Sequence, residues 1–327
     1  MPDDFDWVQL TSGEWLKGQI RVMYQDSMEF DSEELDLQTF DLEDINVIRS
    51  AQIINLRMRS GRTATGKLLL EGDQVTVIGD EQVTTTRDEI LTITAGVQTE
   101  RNFWTGDIVI NGNYRTGNTE EVETGVDVRF QRRTVISRIR LEFASDFNQI
   151  NGVQTVDSQS GHASWDRFRS ETIFLRPFFV DYFSDPFQNI ESRYTMGVGI
   201  GYQLRDTPRI DWNIFVGPAY QETKFTEVEA GESDTESAAA LTSGTVFEIE
   251  LTSRIDLLAD YRFQFAKEEA GGYSHRMTST LEIDLTDSLD FDISAEWNRT
   301  QNPKPNADGT VPEQDDYRLS FGIGYEF

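Results

Sequence analysis

The chain offers few side chains suited to covalent or metal chemistry, and their spacing decides how far each can be taken. His162 and His275 are the only histidines, and cysteine is absent. A Ser–His nucleophile needs both groups on one face. Ser274 and His275 are neighbours in a segment of alternating pattern, so a strand sends them to opposite faces. This predicts no catalytic residue. Two isolated histidines without cysteine likewise predict no His- or Cys-rich metal site. Glu227, Glu229, Glu232, Asp234 and Glu236 share one loop, but they lack EF-hand spacing and read as a solvated run. Gly197, Gly199 and Gly201 alternate along one segment. That spacing removes bulk from one strand face, for a partner side chain or for bending, and is no dinucleotide fingerprint. No cofactor is expected.

The charges of greater interest fall in two runs. Glu123, Asp127 and Arg129 share one face of a segment, and Arg138, Arg140, Glu142 and Asp146 share one face of the next. On adjacent antiparallel strands such groups can pair laterally. If the strands close into a barrel, this face is its lumen. The charges then either satisfy a closed interior or line a narrow conduit whose ring of charges sets ion preference.

The elements that must position them are strands. No run of apolar residues is long enough for a transmembrane helix. A mean hydropathy of -0.49 still suits a membrane barrel, whose strands alternate lipid-facing and lumen-facing side chains. Beyond residue 102 the alternation is strict. In the last segment Tyr317, Leu319, Phe321, Ile323, Tyr325 and Phe327 lie on one face, with Arg318, Ser320, Gly322, Gly324 and Glu326 on the other. The alternating runs last about a dozen residues, twice the ordinary strand and enough to cross a bilayer at a tilt.

Twelve strands are expected, at about 103–115, 119–132, 135–148, 160–170, 173–183, 193–205, 210–224, 238–251, 255–267, 273–285, 289–300 and 316–327. The even connections are tight. Most odd ones are longer, around 148–159, 184–192, 225–237, 267–272 and 301–315, and 116–118 is the short exception. This is the asymmetry of periplasmic turns and outer loops. An aromatic girdle is expected from Trp104, Trp212, Tyr202 and Tyr325 at the inner rim and Trp297 and Tyr317 at the outer rim. Tyr325 and terminal Phe327 look like a C-terminal assembly signal read by the barrel assembly machinery.

Residues 1–97 have a different rhythm, with short Val-, Ile-, Leu- and Thr-rich segments broken by glycine and acidic turns. Val8–Gly13 with Gly18 is echoed by Leu56–Gly61 with Gly66, and 42–45 by 87–90. Two repeats, about 1–50 and 51–97, predict tandem SH3-like or Sm-like β modules. Net charge is -29, which argues against nucleic acid, since binding there rests on lysine and arginine. The N-terminus, Met-Pro-Asp-Asp-Phe-Asp-Trp, carries no charged-then-apolar export segment. For an exported protein, the expectation is that a signal peptide has been removed and replaced by a start Met.

Several motifs carry a family resemblance: Trp104-Thr105-Gly106 through Thr116-Gly117-Asn118-Thr119, the Arg132-Arg133 turn, Leu175-Arg176-Pro177-Phe178-Phe179, Gly197 to Tyr202, and the loop Val228–Ser233. Over 102–327 the chain resembles the salt-induced outer-membrane protein (YdiY-like) family. The extension before it resembles that of longer members. The resemblance implies a β-barrel domain of unknown function and transfers no functional residue.

The expected protein is all-β: a twelve-stranded antiparallel barrel in the bacterial outer membrane, touching its lipid, with the N-terminal domain in the periplasm. Its expected role is narrow passive permeability or salt and envelope-stress adaptation. A second reading makes the barrel an anchor whose N-terminal modules bind a periplasmic or cell-wall partner. A remote third is an outer-membrane hydrolase using His162 or His275.

Overall fold

The computed structural model describes residues 4–96, 100–117, 119–268, 272–286 and 288–326. The described chain folds into two β structures. The first comprises β1 (Asp6–Leu10), β2 (Trp15–Tyr24), β3 (Ser27–Ser32), β4 (Asp36–Asp41), β5 (Ile45–Arg49), β6 (Ile54–Met58), β7 (Thr63–Glu71), β8 (Gln74–Ile78), β9 (Gln82–Thr86) and β10 (Ile90–Ala95). Six of these close a ring in the order β1-β2-β10-β6-β7-β5, and β5 pairs back onto β1.

The ten strands fall into two sets of five, β1–β5 and β6–β10, with like pairing. β3 and β4 extend outward from β2, and β8 and β9 extend equivalently from β7. The expected elements at 42–45 and 87–90 begin as single 3-10 turns, Leu42–Asp44 and Arg87–Glu89. The two sets interlock, because the last strand of each pairs with the second strand of the other, β5 with β7 and β10 with β2. Neither half could bury its apolar face alone. Together they enclose one core, including Val8, Ile20, Met23, Phe30, Leu56 and Ile93.

The second structure is a closed barrel: β11 (Trp104–Arg115), β12 (Glu121–Arg133), β13 (Ser137–Ile150), β14 (Val153–Phe168), β15 (Ile173–Asp185), β16 (Ile190–Thr207), β17 (Ile210–Phe225), β18 (Thr235–Thr252), β19 (Ile255–Phe265), β20 (Tyr273–Thr286), β21 (Leu289–Thr300) and β22 (Asp315–Glu326). Each pairs with the next in antiparallel fashion. Among the described residues the seam between β11 and β22 is held by four register pairs, from Asp107↔Glu326 to Ile110↔Ile323.

Strict alternation dictates which way each side chain points. Met196, Val198, Ile200, Leu319, Phe321 and Ile323 are about half exposed on the outside. Arg138, Arg140, Asp166, Asp211, Asn213 and Thr242 are buried inside. This is the reverse of a water-soluble core, and the outer apolar surface is far more continuous than a soluble monomer shows.

Two expected loops are replaced by strand. The connection anticipated at 148–159 is a tight hairpin, with Asn151 at φ 50 and Gly152 at φ 79, and β14 begins at Val153 rather than near 160. Asn-Gly is the dipeptide best suited to two consecutive positive φ values. The connection anticipated at 184–192 shrinks to a 3-10 turn, Pro186–Gln188, and Asn189 at φ 57. Some strands reach 18 residues, so the wall continues past the apolar belt at one end. Phe327, Asn118 and residues 97–99 lie outside the described residues.

Candidate functional site

All seven charges anticipated for the lumen face inward, but they do not pair as adjacency on neighbouring strands suggested. Arg129 and Glu142 stand directly opposite each other in the β12–β13 register. Arg129 turns the other way, placing Nη2 2.6 Å from Asp107 on β11, 3.5 Å from Asp292 on β21 and 3.6 Å from Glu282 on β20. Three carboxylates outweigh one. Glu142 is left to reach Arg262 on β19 at 2.5 Å.

Arg262 is the residue that the sequence left unmarked. From β19 it meets Glu142 on β13 and, at 3.2 Å, Asp181 on β15, so its guanidinium spans the lumen. His162 belongs to the same group, with Nδ1 2.7 Å from Asp181 Oδ1. Nearer the inner end, Arg138 Nη1 lies 2.8 Å from Asp211, Arg140 Nη2 lies 3.3 Å from the same carboxylate, and Arg176 Nε is 2.7 Å from Asp166. Toward the outer end, Arg318 is paired with Asp146, and its charge also acts on Asp127 and Glu123.

Aromatic rings fill one side of the interior. Phe174 and Phe179 are fully buried and Phe215 is 5% exposed. A Cβ at Gly201 would collide with the Phe174 ring, and one at Gly197 would lie 2.6 Å from Phe179 Cζ. The alternating glycines therefore make room for partner side chains, one of the two purposes their spacing allowed. Phe174 and Phe179 both point inward, despite their odd spacing, because the β15–β16 register shifts between Arg176 and Phe179. Pro177, which cannot donate to the ladder, sits in that bulge.

Among the cavities along the barrel, three form a series joined by shared lining residues. The inner one measures about 930 Å³ and is lined by nine carboxylates and three arginines; Asp36 and Leu37 of β4 stand at its mouth. A middle cavity of about 130 Å³ shares Arg129, Glu142 and Glu248 with it. The outer cavity, about 340 Å³, shares Glu296 with the middle one and is lined by six carboxylates and one arginine. The lumen thus has two acidic mouths and a narrow waist where the charges are cross-paired.

The six girdle aromatics all sit on the outer surface. Trp212, Tyr202 and Tyr325 are about half exposed, and the Trp297 partner Tyr317, which stacks on it at 6.4 Å with a 9° tilt, is mostly exposed. Trp104 lies at the inner end opposite Arg132. His275 also faces outward, stacked on Trp297 and 2.7 Å from the Tyr261 hydroxyl. Among the described residues, neither histidine is hydrogen-bonded to a serine or threonine hydroxyl.

The ring abuts the inner end of the barrel. Arg133 of β12 lies 3.9 Å from the centroid of Tyr24, Arg57 donates to the Ser170 carbonyl at 3.1 Å, and Arg59 is paired with Glu171. Burial pushes the Tyr24 phenol up while the nearby Arg133 charge opposes that. Burial, followed by the charge of Glu250 on β18, raises Glu29 above the usual carboxylate value.

Among solved structures, the chain is similar to the NanC porin, at 13% identity and TM-score 0.41, over 68% of this chain and 98% of that one. It is similar to the COG4313 outer membrane channel from Pseudomonas putida F1, at 10% identity and TM-score 0.37, over 68% and 95%. It is also similar to the outer membrane channel DcaP of Acinetobacter baumannii, at 8% identity and TM-score 0.30, over 84% and 94%. No curated protein matches the sequence. A family model described as a protein of unknown function, DUF481, matches residues 109–327, all of the barrel but the start of β11, and the chain belongs to that family.

Proposed function

We propose that the protein is a narrow, passive, cation-preferring conduit of the bacterial outer membrane, with the N-terminal ring on the periplasmic side. One observation carries this reading: both mouths are lined mainly by carboxylates, while the arginines are concentrated in paired groups between them. Such vestibules raise the local cation concentration and disfavour anions. The outward apolar belt with its aromatic rims suits contact with lipid. Export and insertion through the barrel assembly machinery, guided by the C-terminal strand, belong to the same reading. A small-cation conduit also suits a role in salt and envelope-stress adaptation.

The test is single-channel recording of the refolded full chain in planar bilayers. Discrete steps whose reversal potential in a KCl gradient favours K⁺ support the reading. Silent bilayers from protein that is folded by heat-modifiable gel mobility overturn it. The anchor reading draws on Trp15, Leu35, Leu37 and Ile78, exposed on the ring. It expects a silent barrel and a periplasmic or cell-wall partner lost on deleting residues 1–97.

A further inference from the structure

We propose that the barrel binds a divalent cation, Ca²⁺, at its seam, between Asp107 of β11, Glu282 of β20 and Asp290 of β21. One ligand oxygen from each of the three lies within 4.8 Å of the others. Asp290 is 1% exposed and neither of its carboxylate oxygens has a hydrogen-bond donor; Asp107 Oδ1 and Asp292 Oδ1 are buried and equally without one. Two of the three clustered carboxylates, Asp107 and Asp290, thus carry buried oxygens without a donor. A buried carboxylate without a donor is costly unless a cation compensates it.

One guanidinium faces several carboxylates here. Arg129 is the guanidinium in contact with this group, and it engages Asp107, Glu282 and Asp292 but not Asp290. Gly324 of β22 leaves the space that the Asp290 carboxylate occupies, since a Cβ there would collide with Oδ1. The donor set is all oxygen, which selects a hard cation, and side chains from three separate strands suit the flexible, irregular coordination of Ca²⁺. Asp107 and Glu282 also line the inner cavity, which gives an ion its route in.

The position gives the site a role. Among the described residues β11 and β22 share four register pairs, so this is the shortest-paired boundary in the described wall. A cation joining β11 to β20 and β21 passes behind β22 and fastens the seam from inside. Binding to the closed barrel alone would raise its thermal stability with the logarithm of Ca²⁺ concentration once that exceeds Kd.

The experiment uses the full chain, refolded in detergent and stripped with a chelator. Ca²⁺ titration is followed by calorimetry and by the temperature at which the heat-modifiable band converts. The expected result is one saturable site per chain and a conversion temperature that rises with Ca²⁺. Asp290→Asn is expected to weaken binding by about tenfold or more, since affinity follows ligand charge. Glu282→Gln, a milder change beside the larger cavity, serves if Asp290→Asn does not refold. Asp234→Asn, in the outer acidic loop, is expected to bind as the parent does. No saturable Ca²⁺ binding by the parent chain overturns the proposal, and so does unaltered binding by Asp290→Asn or Glu282→Gln. Conductance is not the readout, so failure here is distinct from failure of the conduit reading.

Discussion

Arg262 and Glu142 meet across the lumen at 2.5 Å although 120 residues separate them in the chain. The contact joins β19 to β13 and exists only because the sheet closes. It narrows the passage where the middle cavity lies. Removing Arg262 would leave Glu142, Asp181 and Asp260 without the cation they share. Arg262→Ala is therefore expected to raise single-channel conductance and sharpen cation preference. The lost pairing would lower stability by about 3 kcal/mol, the usual scale when one member of a buried pair is removed. Conductance equal to the parent's would show that the waist lies elsewhere.

The phenylalanines make a second, apolar side of the constriction. Phe174 fills the space left by Gly201, so the two positions should be energetically coupled. Gly201→Leu alone is expected to cost about 1–3 kcal/mol by overpacking, read as a lower conversion temperature. Adding Phe174→Ala should return most of that loss, because the two changes share one volume. Additive losses in the double-mutant cycle would contradict the packing described.

How much of this was legible follows from what each feature depends on. Period-two alternation is local, so Tyr317 to Glu326 announce a strand and its two faces without any knowledge of neighbours. The inward direction of all seven charges followed from that rule. Their partners did not. Arg129 ignores its register neighbour Glu142 because three carboxylates reach it from β11, β20 and β21, and that outcome depends on the seam closing. Phe174 and Phe179 share the interior only through the bulge at Pro177. The Asn151–Gly152 hairpin could have been read, since the dipeptide names its own turn; the surrounding polar residues suggested a longer loop.

The cross-pairing predicts unequal roles for two arginines on one strand face. Arg138 is fully buried and holds Asp166 and Asp211, whereas Arg140 borders the inner cavity and reaches Glu248 at 3.7 Å. Arg140→Gln should alter ion preference and cost less folded yield than Arg138→Gln, because Asp211 keeps Arg133 and Arg138. Arg138→Gln should lower the folded yield while leaving the conductance of the surviving channels nearly unchanged. Folded yield is read from gel mobility and permeation from bilayer recordings. The reverse assignment would place the conducting surface on the wrong side of β13.

The junction between ring and barrel should respond to pH. Glu29 of β3 is partly buried and faces the charge of Glu250, and both effects raise its pKa. A carboxyl group raised in the docked state binds its proton more tightly there than when free. Its favourable contribution is complete below the ordinary glutamate value and is lost as pH rises through the elevated one. Docking should therefore weaken across that window, moving β4 away from the inner mouth that Asp36 and Leu37 border. The chain has no cysteine, so single cysteines introduced at Glu34 and Ser253 can carry spin labels for distance measurements. The expected outcome is a distance distribution that broadens with rising pH in the parent chain and stays narrow in Glu29→Gln. A distribution that broadens identically in both would place the pH response on another group.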